Sequence, residues 1–397
     1  MAETNIINTD IAIIGGGILG LWLTNVLKTN GLSSVLLEQN AIGSNQTVNS
    51  QGMLHSGIKY ALQGAVTSDM KAISDSEALL LWQQAFQGLS DITLTNNCAL
   101  TNHQYLWSNS KLSSKFANFF VSKLLKSKVQ KLNNYPEPFL PEYFTGSLYK
   151  LHETVLNLPI VLQELFEKIA DNSIKINNIN LEVINNNINK FFVNIAGEQF
   201  LVNARQYIFT SGEGIKNFSK IFSNGPLMQV RPLHMVAVKA KNLPILYGHN
   251  IGLNSLPIIS ITSHKTIDNQ VVWYAGGQIA EDGVNKTSAQ QLIDFKKLLN
   301  AIFPWLDFNS KEYSWGSFYI NRAEHLQPNR KKPNSATWFK LNNAIFAWPT
   351  KLVLAPMLAS EIFKALNIKA EASNNNTLDI LAKLPKPELA TPWWGNI

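Results

Sequence analysis

The first strong pattern along the chain is an apolar run, Asp10-Ile-Ala-Ile-Ile-Gly15. It breaks at Gly15-Gly16-Gly17 and resumes as Ile18-Leu-Gly20-Leu-Trp-Leu-Thr-Asn-Val-Leu-Lys28. This reads as a buried strand, a glycine turn and an apolar helix. Gly31 closes the helix, and Ser34-Val-Leu-Leu-Glu38 makes a second short apolar strand that ends in an acid. Together these predict a β-α-β unit of the parallel type.

Residues 69–86 have helical periodicity and predict a helix packed on a sheet. Residues 111–131 interleave six lysines with Leu112, Phe116, Phe119, Phe120, Leu124 and Leu125. Such a basic amphipathic helix can lie on anionic lipid. It can equally be an ordinary surface helix with its apolar face inward, which is the favoured reading. From Asn177 to Arg205, Asn-rich turns separate short strands such as 179–184 and 190–195, as in a meander, and lead into an apolar strand ending at Ser211-Gly212. Val230–Lys239 and Val271–Gly277 predict a second, mainly antiparallel sheet. Ser288–Phe303 predicts a helix with Ser288 as N-cap and Pro304 as its stop. Ala344–Trp348 and Leu352–Leu366 give a last strand and helix, and 371–397 reads as a tail. No internal repeat is present.

Composition narrows the class. With 397 residues, 45% hydrophobic and 15% charged, the chain can form two domains around a sizeable core, which excludes a disordered protein. The single cysteine, Cys98, excludes an intramolecular disulfide and any multi-cysteine zinc or iron–sulfur site, and is expected to be inert. The histidines show no metal-ligand spacing, so no metal is expected. The longest apolar runs, Ile11–Leu23 and Leu352–Ala359, fall short of the roughly 20 residues that span a bilayer, and the start of the chain lacks a secretory pattern. A cytoplasmic protein is therefore expected, with peripheral contact at the inner face of the membrane left open. The net charge of +7 suits an anionic ligand or a lipid surface, while no motif supports nucleic acid.

Gly15-x-Gly17-x-x-Gly20 has a physical reason at each position: a tight turn, close approach of backbone to a pyrophosphate, and close helix–strand packing. The helix N-terminus adds free N–H donors and the positive end of a dipole. Glu38 stands 18 residues after Gly20, placed to accept from a ribose diol, and argues against a 2′-phosphate and so against NADP. The residues beyond Glu38 separate FAD from NAD. The segment Val48-Asn-Ser50-Gln-Gly52-Met-Leu-His55-Ser-Gly57-Ile-Lys59-Tyr60 resembles the D-amino-acid-oxidase-like superfamily of FAD-dependent oxidoreductases. It is most similar there to flavin-linked glycerol-3-phosphate dehydrogenases and L-2-hydroxyglutarate dehydrogenases, with His55, Gly57, Ile58 and Tyr60 at matching spacing.

The resemblance extends further. Ile208-Phe-Thr-Ser211-Gly212 resembles the family's strand beside the FAD, and Val183 falls where a strand residue flanks the adenine. Gly276-Gly277 follows a substrate-domain strand, and the region around Arg322 resembles the one whose arginine meets the substrate anion. Trp348-Pro-Thr350-Lys351-Leu352 occupies the place of the C-terminal flavin loop, although that loop normally carries glycines.

The resemblance implies an α/β Rossmann-like FAD domain, discontinuous over 1–90, 145–225 and 340–370, with an antiparallel substrate domain over 91–144 and 226–339. FAD would be held non-covalently by Gly15, Gly17, Gly20, Glu38, Gln39, Ser50, Gly52, Val183, Ser211, Gly212, Thr350, Lys351 and Leu352. The implied reaction is oxidation of a small anionic 2-hydroxy acid, polyol phosphate or amino acid, with reoxidation by quinone or oxygen. Such chemistry needs an anion clamp and a proton acceptor. Arg322 is the leading clamp, and Arg231 offers a second anion contact. His55 and His234 are the candidate bases, and Lys59 and Tyr60 border the substrate. Residues 231 and 234 face opposite sides of a regular strand, so both reach the site only if the strand bends, for instance at Pro232. Two rivals stay open: a non-catalytic FAD-binding or membrane-docking protein, to which the missing loop glycines, the basic helix and Trp393-Trp394 point, and an NAD enzyme, disfavoured by the second half of the chain.

Overall fold

The apolar run ends the strand Asn5–Ile14, its glycines lead into the helix Ile18–Thr29, and the chain returns through the strand Ser34–Glu38. This is seen in a computed structural model that describes residues 5–55, 68–110, 129–133, 138–252, 257–333, 335–368 and 380–397, with side chains from 77 onward in the helix Ser68–Gln87. The two strands are parallel, Ile11–Ile14 beside Ser34–Leu37. Across the first sheet the order is Thr337–Leu341, Ala344–Trp348, Glu198–Phe209, Asn5–Ile14, Ser34–Glu38 and Ser173–Lys175.

Both faces of this sheet are covered, which is why its central strands are continuously apolar rather than alternating. Ile11, Ile13, Leu36, Ile208 and Ile345 pack against Trp22 and Val26 of the first helix and Leu358 and Ile362 of the helix Ala355–Leu366. The alternate residues Ala12, Ile14, Val35, Leu37, Phe209 and Phe346 pack with Phe191, Val193 and Phe200 of the meander. That meander joins Asn178–Ile184, Asn187–Ile195 and the start of Glu198–Phe209 as antiparallel neighbours. Its first turn places Asn185 and Asn186 at φ 51° and 60°, the pair of positive values that a tight hairpin needs.

The second sheet runs in the order Ser314–His325, Met228–Ala240, Val271–Gly276, Pro257–Lys265, Tyr247–Ile251, Gln104–Ser108, Ser147–Leu151 and Val129–Leu132. Its pairings are antiparallel except Tyr247–Ile251 with Gln104–Ser108, which run parallel. One face packs on the helix Ser288–Ile302 through Val236, Trp273, Phe295 and Leu299. The other face carries Met235, Ala237, Tyr274 and Ile320.

Several expectations are corrected here. The strand Ser147–Leu151 belongs to the second sheet and Thr337–Leu341 to the first, while Ile92, Leu94 and Cys98 lie in the core of the first. The boundaries drawn at 91, 145 and 340 therefore shift, because pairing rather than composition decides which sheet a strand joins. The basic helix does not reach Lys131, since Val129–Leu132 is a strand; residues 111–128 lie outside the described residues. Thr287, not Ser288, caps the helix at 288, its hydroxyl accepting from the Gln290 N–H at 3.3 Å. Pro232 makes no bend: Met228–Lys239 pairs with Ser314–His325 without a register shift, and Pro232 lies in the half that borders only that strand, where no N–H is missed.

The described part of the C-terminal segment, from 380 onward, is not a loose tail; residues 371–379 lie outside the described residues. Ile42 donates to the Glu388 carbonyl at 2.7 Å and accepts from the Ala390 N–H at 3.0 Å. Trp394, 3% exposed, then stacks on Tyr274 at 4.4 Å, and Trp393 stacks on Phe318 at 5.4 Å. The segment thus ties the first domain to the second sheet, and the Trp pair is committed to that packing rather than presented to a membrane. No helix among the described residues is long and apolar enough to cross a membrane. Trp394→Ala is expected to destabilise the protein by about 3 kcal/mol in denaturant unfolding; a loss below about 1 kcal/mol would show that the segment is not part of the folded core.

Candidate active site

Three glycines form the first part of the site, each for a different reason. Gly15 has φ +111°, and a Cβ there would stand 2.6 Å from the Ser211 Cα. At Gly20 a Cβ would stand 2.0 Å from the Gly15 carbonyl oxygen, so the helix presses directly on the turn. At Gly17, whose φ of −73° suits any residue, a Cβ would meet only the Thr47 hydroxyl at 3.4 Å. The protein itself leaves room at Gly17, and the space belongs to whatever docks at the helix N-terminus.

A cavity of about 470 Å³ opens there. Gly15, Gly17, Glu38, Gln39, Ser50, Ser211 and Gly212 line it, together with Thr350, Lys351 and Leu352 at its far end. Glu38 is buried at the end of its strand, accepting from the Gly16 N–H at 2.5 Å and the Asn40 N–H at 2.6 Å. A carboxylate has about four acceptor positions, so capacity remains for a diol. The hydroxyls of Ser50, Ser211 and Thr350 and the indole N–H of Trp348 are buried without a hydrogen-bond partner, and all four residues line this cavity. Buried polar atoms are almost always paired; a polar ligand along the cavity would satisfy these four.

A second cavity of about 460 Å³ shares Gln46, Ser50, Ile320, Thr350, Lys351 and Leu352 with the first. His55, His249, Glu281, Arg322 and Lys332 line the rest of its charged wall. At the junction Thr350 takes φ +62°, with the Lys351 N–H donating to the Pro349 carbonyl at 2.5 Å across it. A β-branched residue rarely holds this left-handed conformation, and such strain gathers at functional sites. Thr350 therefore keeps the backbone shape that a glycine would supply freely, and adds a buried hydroxyl.

The two arginines of the paired strands Met228–Ala240 and Ser314–His325 differ sharply. They are cross-strand partners, Arg231 opposite Arg322. Arg231 is gripped by buried Glu324, with Nε and Nη2 each donating at 2.7 Å. Arg322 reaches Glu281 only at 3.4 Å, and that carboxylate is half exposed. Burial, and then the neighbouring Arg231 charge, push the Arg322 guanidinium down from its ordinary value. A partly buried cation short of counter-charge gains most from an arriving anion. Arg231 does not line the second cavity, a correction that follows from its prior pairing.

His234 is also corrected. Strand alternation turns it to the helix side, where it is fully buried, stacked on Tyr319 at 3.9 Å and bonded to the Gly283 carbonyl and the Ser317 hydroxyl at 3.0 Å each. It lines neither cavity. His55 does line the second, with Nδ1 3.5 Å from Glu153, a carboxylate that is 3% exposed. Val183 lies on the meander outside the first cavity, whose wall there is Ile176 and Ile179. Gly20 acts by packing and Gly52, at φ +67°, by approaching the Leu156 carbonyl. Lys59 and Tyr60 lie outside the described residues. Burial, with the Glu164 carboxylate beside it, pushes the Cys98 thiol up to about 12, so it carries no thiolate chemistry at neutral pH. His249 and Glu153 were missed: neither lies in a recognisable motif, and only the pairing of distant strands brings them here.

Residues 10–334 match the model of the FAD dependent oxidoreductase family. The chain belongs to that family. Its cofactor is FAD, and the glycine turn, Glu38 and the unpaired polar atoms of the first cavity suit that dinucleotide. The flavoprotein is 34% identical over 392 residues to the probable FAD-dependent oxidoreductase PA4991 of Pseudomonas aeruginosa, covering 98% of each chain. The crystal structure of PA4991 matches it with TM-score 0.80 over 99% of both chains at 29% identity. FAD-bound L-alpha-glycerophosphate oxidase from Mycoplasma pneumoniae (TM-score 0.64, 13% identity, 97% and 99% covered) and glycine oxidase from Geobacillus kaustophilus (TM-score 0.64, 16% identity, 93% and 97% covered) share the fold.

The glycines give a paired prediction for this flavoprotein. Gly17→Ala is expected to fold with unchanged apoprotein stability yet lose FAD affinity about tenfold or more. Gly20→Ala is expected to lose about 3 kcal/mol of stability in the apoprotein. Denaturant unfolding and retained flavin absorbance check both; equal stability losses in the two variants would contradict the division of roles.

Proposed function

We propose that this flavoprotein oxidises a small anionic donor at a carbon bearing a hydroxyl group, a 2-hydroxy acid or polyol phosphate, in the second cavity. FAD supplies the hydride acceptor. The observation that carries the reading is the pairing of His55 with buried Glu153 on the wall of the cavity that also holds Arg322. An imidazole backed by a carboxylate is suited to accept a hydroxyl proton, because the carboxylate orients the ring and stabilises the imidazolium. Arg322 grips the carboxylate or phosphate of the donor, with Lys332 and Lys351 adding positive charge to the same wall. The two cavities meet at Ser50 and Thr350, which supports the donor carbon lying against the end of the cofactor that reacts.

The relatives' names span a glycerophosphate oxidase and a glycine oxidase, so the choice of donor group rests on this cavity alone. An amine donor is the rival that a direct test separates. Purified holoprotein mixed anaerobically with hydroxy acids, amino acids and glycerol 3-phosphate side by side is expected to lose its yellow colour with a hydroxyl donor. Bleaching by amino acids alone, or by no member of the panel, would overturn the reading. With the donor that bleaches, Arg322→Ala is expected to lower kcat/KM about 100-fold, chiefly through KM, while FAD stays bound. Unchanged kinetics would remove Arg322 from its role.

A further inference from the structure

His55 does not stand alone in the second cavity. The His249 ring lies 5.1 Å from it, tilted by 46°, and comes from a different part of the fold, the strand Tyr247–Ile251. His249 is 1% exposed, with Nδ1 2.6 Å from the Ser260 hydroxyl and Nε2 3.2 Å from Gln104 Oε1. Gln104 is fully buried, and its amide nitrogen donates to the Leu54 carbonyl at 3.2 Å and the Thr154 carbonyl at 3.3 Å. Those two carbonyls adjoin His55 and Glu153 in sequence, and the segments are joined again where the Leu54 N–H donates to Thr154 at 3.0 Å.

The orientation of the Gln104 amide follows from its partners. Two carbonyl acceptors require the NH₂ group, so the atom facing His249 is the acceptor Oε1. His249 must then carry its proton on Nε2. In the neutral ring Nδ1 has no proton and accepts from the Ser260 hydroxyl. A second proton on a ring buried to this degree would face the loss of that hydrogen bond and a desolvation cost.

We propose that Gln104 is a positioning residue for proton transfer: it fixes His249 as the neutral Nε2–H tautomer while holding together the two segments that carry His55 and Glu153. This rests on the reading of His55 as the base. In that reaction the donor's C–H bond breaks with its electron pair passing to FAD, the O–H proton passes to His55, and the donor becomes a carbonyl compound. A neutral His249 adds no like charge beside the new imidazolium. A protonated His249 at the same distance would oppose its formation.

The test needs no substrate. Holoprotein labelled with ¹⁵N-histidine has seven imidazoles, and His55→Asn and His249→Asn variants assign the two that matter. Across the pH range in which the holoprotein stays folded, His249 is expected to show the Nε2–H tautomer and no titration, while His55 titrates. In Gln104→Ala the His249 signal is expected to shift toward a mixture of both tautomers, and the midpoint of His55 to move. Gln104→Glu, which keeps an acceptor toward His249 but loses both donors at neutral pH, is expected to move the His55 midpoint. A wild-type His249 that titrates or carries its proton on Nδ1 overturns the proposal, even if neither Gln104 variant folds. So do Gln104 variants that lower the melting temperature and leave both imidazoles unchanged. Failure of every hydroxyl donor to bleach the flavin would instead remove the reaction while leaving the tautomer result standing, so the two failures are distinguishable.

Discussion

Everything in this protein is referred to one backbone-on-backbone contact: the helix pressing through Gly20 on the Gly15 carbonyl, and Gly15 in turn lying against the Ser211 backbone. The Thr210 hydroxyl completes this junction, donating to the Gly15 carbonyl at 2.8 Å, so the distance between the first helix and the end of the strand Glu198–Phe209 is fixed by direct contact. The helix N-terminus, Glu38 and the Ser211 hydroxyl then face one cavity as a consequence. The same contact explains why Gly17 alone of the three has room around it. The fold is closed where packing requires it and open where the dinucleotide phosphates belong.

The second sheet completes the site through strand parity. In the antiparallel pair of Met228–Ala240 with Ser314–His325, Arg322, Ile320, Leu233 and Met235 point one way, while His234 and Tyr319 point the other. Strand alternation thus turns His234 away from the second cavity and leaves both arginines on the opposite face. Of the two arginines on the correct face, the one already holding a buried carboxylate bidentately is committed to structure. The one with a distant, half-exposed partner is the one we propose for the anion. Thr350 contributes at the junction of the cavities by holding a strained turn that the surrounding fold over-determines.

Local signals were legible in the sequence and long-range ones were not. The β-α-β unit, the meander and most of the first cavity could be read because their determinants are neighbours along the chain: glycine spacing, an acid at a strand end, Asn pairs at turns. His234 misled because its basic neighbourhood is sequential, whereas its actual environment is set by strand alternation and a helix some fifty residues later. The segment 371–397 reads as a tail because Pro385, Pro387 and Pro392 interrupt any periodic apolar pattern, yet Leu381, Trp393 and Trp394 each find a partner far away in sequence. Glu153 and His249 carried no signal at all. They meet His55 only because the parallel pairing of Tyr247–Ile251 with Gln104–Ser108 brings three distant segments to one wall.

The anion we propose on Arg322 and the flavin would occupy adjoining cavities with a shared wall, so that each senses the other. The most direct measurement is the visible absorption spectrum of the purified holoprotein during titration with a small, non-oxidisable carboxylate. A saturable shift of the flavin bands is expected in the wild-type protein and none in Arg322→Ala. A spectrum that stays unchanged in the wild type while the carboxylate is shown by calorimetry to bind would contradict this arrangement.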